Sequence, residues 1–162
     1  MPYFSIVIPT FNRAALIATT INTVLKQDFN DFEIIIIDDG STDNTETLLC
    51  HILTDKKIIY YKQENKERGA ARNQGIKMAA GKYVLFLDSD DLLNPNHLSA
   101  LIQIIDLHPE ANFLCTKYDL ERNGKKELSS VSPLKQGWYD SSLLLKGNPF
   151  AANICIKKKM PT

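Results

Sequence analysis

The segment Phe32-Glu33-Ile34-Ile35-Ile36-Ile37 is apolar at every position but one and ends abruptly in Asp38-Asp39-Gly40-Ser41. A strand with one wet face alternates apolar and polar residues, whereas a run apolar on both faces needs cover on both sides. The isoleucines therefore require a central strand between two helical layers. The flanking sequence supplies the helices. Phe4 to Ile8 reads as a first strand, and Leu16, Ile17, Ile21, Val24 and Leu25 then recur at helical spacing, with Asn12 upstream as the expected cap. Beyond the isoleucine run, Leu48, Leu49, Ile52 and Leu53 form a second helical stripe, opened by Asp43 and Glu46 as a capping pair. Ile58 to Tyr61 reads as a third strand, Ala70 to Ala80 as a helix stopped by Gly81 in a left-handed cap, and Tyr83 to Leu87 as a fourth strand. This alternation predicts an α/β fold, a three-layer α/β/α arrangement around a mostly parallel sheet joined by crossover helices.

Further along, Asn94-Pro95 is expected to open a helix that buries Leu98, Leu101, Ile102 and Ile105 and ends near His108-Pro109. Phe113 to Leu120 then reads as a strand, paired across an Asn123-Gly124 turn with a short partner around Glu127 and Leu128. Trp138, a helical stretch from Ser142 to Leu145 and a strand-like run from Ala152 to Ile156 complete the pattern. With no linker, repeat or low-complexity segment, residues 1–162 are expected to form one domain.

Composition removes several functions. Nineteen basic and nineteen acidic residues cancel, so there is no excess positive field to gather a nucleic acid. The longest apolar runs, Ala14 to Ala18 and Tyr83 to Leu87, fall far short of the ~20 residues that span a bilayer. The N-terminus lacks the basic and apolar regions of a signal peptide, so a cytoplasmic location is expected, extending to the inner face of the membrane. Cys50, Cys115 and Cys155 are widely spaced and read as buried apolar fillers. His51, His97 and His108 have no metal-ligand spacing. Neither GxGxxG nor GxxxxGK[ST] occurs, which removes the dinucleotide and P-loop fingerprints.

In an open parallel sheet, ligands bind beyond the carboxyl ends of the strands. Three polar clusters lie there: Pro9-Thr10-Phe11-Asn12-Arg13, Asp38 to Asp43, and Asp88-Ser89-Asp90-Asp91. Turn formation alone accounts for any one of them. The acidic turn is the most demanding, because three carboxylates within four residues repel unless solvent or a cation relieves them. Magnesium or manganese, held by one or two carboxylates plus substrate phosphates, suits such a turn. Asp90 is the first candidate ligand, and Asp88 reaches either the metal or, through water, a ribose. A solvated acidic loop is the competing explanation. Asp39 is the candidate acceptor for a nucleotide base, a role compatible with its neighbour capping the turn. Arg68, Gly69, Arg72 and Asn73 occupy the third loop region, where a guanidinium would neutralise a diphosphate.

These residues form an ordered set. Phe4 to Asn12, Ile37 to Asp43, Gly69-Ala70-Ala71-Arg72-Asn73-Gln74-Gly75, and Gly81 through Asp91 together resemble the N-terminal part of the family-2 glycosyltransferases, which have the GT-A fold. The resemblance implies that Pro9 and Asp39 line a base pocket, that Arg72 lies near the nucleotide, and that Asp88-Ser89-Asp90 is the Asp-x-Asp element. The donor contacts it implies are Pro9, Thr10, Phe11, Asn12, Asp39, Arg72, Asp88 and Ser89, with Mn2+ or Mg2+ on Asp90 and Asp88. It also implies a nucleotide-sugar donor, commonly a UDP-sugar, a saccharide or lipid-linked acceptor, and inverting transfer assisted by a carboxylate base. That base lies in a family motif beyond a late strand represented by Ala151 to Ile156, whereas the sequence ends at Thr162 and its late Asp140 resembles a helix cap. The expectation is a donor-binding portion that transfers poorly. An inert nucleotide-sugar-binding module is the alternative, and a phosphatase with an Asp-x-Asp nucleophile pair ranks last, because its pair would follow strand one.

Overall fold

The computed structural model describes residues 1–122, 125–128 and 154–158. The predicted Asn123-Gly124 turn, Trp138, the stretch around Ser142 and Asp140 lie outside them. The elements are β1 (Phe4–Thr10), α1 (Ala14–Leu25), β2 (Phe32–Asp38), α2 (Thr45–Leu49), β3 (Ile58–Lys62), α3 (Glu67–Met78), β4 (Tyr83–Phe86), α4 (His97–Leu107), β5 (Phe113–Cys115), β6 (Asp119–Arg122), β7 (Lys125–Leu128) and β8 (Ile154–Lys157). A six-stranded sheet runs in the order β3-β2-β1-β4-β8-β5, and β6 with β7 forms a separate hairpin ladder. β3, β2, β1 and β4 are parallel, and β8 enters antiparallel to both β4 and β5. The sheet is mixed and mostly parallel, as the alternating sequence requires.

The isoleucine run behaves as its composition demands. Ile34 and Ile36 face a core shared with Ile17, Ile21 and Val24 of α1 and with Leu98, Leu101 and Ile105 of α4. Ile35 and Ile37 face the opposite layer, where they join Val7, Val84 and Ala71 of α3. The pleat sends successive residues to opposite helical layers. α3 approaches closely because its inner face is made of small residues. Ala71 and Gly75 are its buried positions, and a Cβ built on Gly75 would lie 2.2 Å from Val7 Cγ1.

Several local expectations are corrected. Gly81 is no left-handed cap: α3 ends at Met78, and Gly81 instead passes so near β1 that a Cβ there would sit 2.6 Å from the Ser5 amide nitrogen. Its own N–H donates to Ser5 Oγ at 2.8 Å. α4 begins at His97, with Asn96 in the capping position, so Asn94-Pro95 forms the approach to the helix rather than its first turn. α2 is shorter than its apolar stripe predicts; Ile52 and Leu53 lie in the turns that follow it, still donating to the Leu49 carbonyl at 2.8 and 3.0 Å. Phe113 to Leu120 is broken, because β5 ends at Cys115 and β6 starts at Asp119. Cys155 is buried and Cys115 half-buried, but Cys50 is exposed and is no core filler. His97 is half-buried with its Nε2 enclosed, and burial pushes its pKa down to about 4.

Candidate functional site

The strand order places the reversal of connection between β1 and β4: two crossovers lead outward to β2 and then β3, and the chain then returns on the other side of β1. Loops diverge at such a point and leave a crevice beyond the strand ends. β1 ends there in Thr10, β2 ends in Asp38 and is followed by Asp39, and the chain after β4 leads into Asp88. Thr10 pairs with Asp38 in register, so the first two clusters sit side by side.

Asp38 is fully buried, and its two oxygens accept from the Ser41 amide at 2.7 Å and the Tyr60 hydroxyl at 2.7 Å. It fixes the turn. Asp39 is also buried, with Oδ1 accepting from Gln63 Nε2 at 2.7 Å and from the Lys66 amide at 3.0 Å. These bonds orient the carboxyl group that sequence reasoning assigns to a base. Thr10 Oγ1 is buried and finds no hydrogen-bond partner among the described residues.

Asn12 takes a different place from the one expected. It adopts the left-handed region at φ 52°, and its Oδ1 accepts from the Thr42 amide at 2.8 Å and the Asp43 amide at 3.3 Å, while its own amide donates to Ser41 Oγ at 2.9 Å. It therefore clamps the β1–α1 loop to the β2–α2 loop and does not cap α1. The α1 cap comes from across the gap, where Asp43 Oδ2 accepts from the Ala14 amide at 3.2 Å. Asp43 Oδ1 accepts from the Thr45 hydroxyl at 2.5 Å and the Thr45 amide at 3.0 Å, so the expected Asp43–Glu46 capping pair is replaced by Asp43–Thr45. The Thr45 hydroxyl, with the Thr45 and Ala14 amides, holds the Asp43 carboxyl below the usual carboxylate range. Glu46 instead accepts from Lys62 at 2.7 Å. Phe11, between Thr10 and the clamp, is exposed.

The acidic turn lies across the crevice. Arg72, one position beyond the small-residue contact of α3, donates from Nη2 to Asp88 Oδ1 at 2.6 Å. Close packing of α3 on β1 thus brings its guanidinium to the end of β4. Arg13 Nε approaches Asp90 Oδ2 at 3.8 Å, a longer and more exposed pair worth little by itself. Ser89 is buried, its carbonyl accepting from Thr20 Oγ1 at 3.0 Å. Asp91 is half-buried; that burial first, then the Asp88 and Asp90 charges, pushes its pKa up to about 6. A shallow hollow between Arg13, Leu16, Asp43 and Leu48 flanks the loop clamp without reaching Asp39, Arg72 or Asp88. Topology and chemistry, rather than concavity, locate the crevice.

Among the described residues, no group of three or more His, Cys, Asp or Glu side chains is gathered to hold a metal alone. The turn does offer an all-oxygen donor set under mutual repulsion, which fits a hard cation sharing its coordination with phosphate oxygens. The structure brings Thr10, Asp39, Arg72, Asp88, Ser89 and Asp90 to one end of the sheet. Sequence reasoning missed Gln63, Tyr60 and Thr20, which orient these groups. Only Thr20 carried a signal, as a polar residue within the apolar stripe of α1.

Comparison with known proteins identifies the family and the fold. The family model described as "Glycosyl transferase family 2" matches residues 5–150. The Campylobacter jejuni GalNAc(5)-diNAcBac-PP-undecaprenol beta-1,3-glucosyltransferase is 38% identical over 135 residues, covering 80% of this chain and 43% of that protein. Staphylococcus aureus TarP, a poly(ribitol-phosphate) beta-N-acetylglucosaminyltransferase, is 42% identical over 132 residues, covering 77% of this chain and 39% of its own length. Among solved structures, residues 1–349 of S. aureus TarS in complex with UDP-GlcNAc superpose with a TM-score of 0.71 at 32% identity, covering 81% of this chain and 38% of that one. The fold is thus GT-A-like, and the chain spans between 17% and 43% of the length of the first curated relatives it matches. With a match over residues 5–150, the chain belongs to glycosyl transferase family 2.

Proposed function

We propose that this chain is the donor-binding portion of an inverting glycosyltransferase that takes a nucleoside-diphosphate sugar, a UDP-sugar by likeness to TarS, and passes the sugar to an acceptor hydroxyl. The observation that carries the reading is the convergence of Asp39 from the loop after β2, Arg72 from helix α3, and Asp88 and Asp90 from the turn after β4 at the end of the sheet where β1 and β4 adjoin. Asp39, pre-oriented by Gln63 and Lys66, accepts from the base. Thr10 and Phe11 border the nucleoside, and Pro9 lies beneath it. Arg72 exchanges its bond to Asp88 for the diphosphate when donor arrives.

Asp90 and Asp88 would hold Mn2+ or Mg2+, which when bound supplies Lewis-acid stabilisation of the departing diphosphate. In the displacement, the acceptor oxygen bonds to the anomeric carbon as the carbon–diphosphate oxygen bond breaks. The acceptor proton passes to a carboxylate base. A saccharide or lipid-linked acceptor is proposed by likeness to the Campylobacter and staphylococcal enzymes. A cytoplasmic site of action, at the inner membrane face, belongs to the same proposal; no helix among the described residues is long and apolar enough to cross a membrane.

Calorimetric titration of UDP and UDP-glucose, with and without manganese, tests this reading on the purified chain and on Asp90→Ala. The expected result is binding that manganese strengthens and that Asp90→Ala reduces to the metal-free value. Folded protein that binds neither nucleotide would overturn it.

A further inference from the structure

The side of α1 turned toward the acidic turn, and the chain just after that helix, carry a row of polar side chains. Thr20 is fully buried and Gln27 is buried, with Thr23 partly covered between them. Thr20 and Thr23, three residues apart, share one side of the helix, and Gln27 follows two residues past its end, where its backbone amide donates to the Val24 carbonyl at 3.1 Å. Each is hydrogen-bonded to the segment that follows β4. Thr20 Oγ1 donates to the Ser89 carbonyl at 3.0 Å, inside the acidic turn. Thr23 Oγ1 accepts from the Leu93 amide at 3.2 Å. Gln27 donates from Nε2 to the Asn94 carbonyl at 2.7 Å and accepts at Oε1 from the Leu98 amide at 3.0 Å, satisfying a donor at the start of α4. The row is also braced from within: Thr23 Oγ1 donates to the Thr20 carbonyl at 2.7 Å, and Gln27 Nε2 to the Thr23 carbonyl at 3.1 Å. Just past the helix, the Asp28 amide donates to the Pro95 carbonyl at 3.0 Å, and Ser99 Oγ donates to Asp28 Oδ2 at 2.8 Å.

From Ser89 to Asn96 the chain has no helix or strand, so these side chains replace the ladder that would otherwise fix it. The apolar stripe of α1 needs neither threonine, and polar groups at Thr20 and Thr23 reduce the apolar area that helix can bury. Their bonds run to backbone atoms in one segment, the one that bears the carboxylates. We propose that Thr20, Thr23 and Gln27 are positioning residues that template the acidic turn, holding the backbone from Ser89 onward so that Asp88 and Asp90 keep their places beside Arg72 and Arg13. The inference deepens the donor-binding reading and rests on it for its binding consequence. Its structural half is independent.

Thr20→Val keeps the side-chain shape and removes the hydroxyl, whereas Thr20→Ser restores it. Two measurements apply to each variant and to the partly covered Thr23→Val, which serves if Thr20→Val does not fold. The first is amide hydrogen exchange across residues 88–94. The second is calorimetric binding of UDP with and without manganese. The valine variants should speed exchange across this segment by about tenfold while leaving β1 and β2 unchanged, as expected for one lost hydrogen bond. They should weaken manganese-dependent UDP binding by about tenfold and leave metal-free UDP binding within about twofold, with Thr20→Ser close to the parent. Unchanged exchange in residues 88–94 would overturn the proposal, as would equal weakening of both binding modes. If the parent chain bound no UDP at all, the donor reading would fail while local exchange still decided whether the row holds the turn.

Discussion

Gly75→Ala probes the contact that delivers Arg72 to the acidic turn. The added methyl would arrive 2.2 Å from Val7 Cγ1 and 3.0 Å from Val7 Cγ2, on a strand enclosed between helical layers. Val7 is fully buried on a β-branched, rotamer-poor side chain, so neither partner yields easily. Overpacking of this kind costs about 1–3 kcal/mol, and the severity of the contact places it near the top of that range. Replacing a helical glycine by alanine returns about 1 kcal/mol of propensity. The net loss is about 2 kcal/mol, equivalent to a fall in Tm of roughly 4–8 °C for a chain of this size. Val7→Ala alone removes two methyl groups and destabilises by about 2–3 kcal/mol through lost burial and an incompletely collapsed cavity. In the double variant the space vacated by Val7 accepts the new methyl, so the combined loss should fall short of the sum by about 2 kcal/mol. Urea unfolding of all four proteins measures this coupling. Strict additivity, or a Gly75→Ala protein more stable than the parent, would refute the close packing of α3 on β1.

Asp91 yields a pH test. Its pKa is raised to about 6 in the folded protein by burial and the neighbouring Asp88 and Asp90 charges, so the native state binds its proton more tightly than the unfolded chain. Stability contributed by that proton is present below about pH 4 and lost as pH rises through about 6. Asp91→Asn should therefore be more stable than the parent at pH 7 and lose that advantage by pH 4, as read by urea midpoints. At Asn12, with φ 52° and two accepted amide bonds, Asn12→Ala should cost about 1 kcal/mol more in thermal unfolding than Asn12→Gly, because only glycine keeps the left-handed backbone without strain. Titration of the native protein with a thiol reagent should show rapid reaction at the exposed Cys50 only, since burial raises the thiol pKa to about 11 at Cys115 and about 12 at Cys155.

The elements that were readable from sequence are those whose signal is local. The isoleucine run, the apolar stripes of α1 and α4 and the acidic ends of the strands each announce themselves within a few residues, and the mostly parallel character of the sheet follows from their alternation. What escaped reading depends on partners distant in the chain. Asn12 resembles a helix cap because cap residues and loop clamps use the same side chains; only the arrival of the β2–α2 loop decides between them. Gly81 follows a helix as a C-terminal cap would, yet its lack of a side chain serves the approach of Ser5, 76 positions away. Tyr60 and Gln63, which orient Asp38 and Asp39, sit on or after an edge strand whose sequence gives no sign of that duty. The polar row of α1 was visible only as interruptions in an apolar stripe, and its purpose required the chain after β4 to be in place.

On the proposed reading, donor nucleotide occupies the crevice between β1 and β4. Amide NMR spectra of the 15N-labelled chain, recorded while UDP is added and then with a trace of Mn2+, locate it most directly. UDP should shift amides clustered at Thr10 to Arg13, Asp39 to Ser41 and Arg72, and manganese should broaden those centred on Asp88 to Asp91. Shifts clustered elsewhere, or manganese broadening remote from the acidic turn, would contradict it.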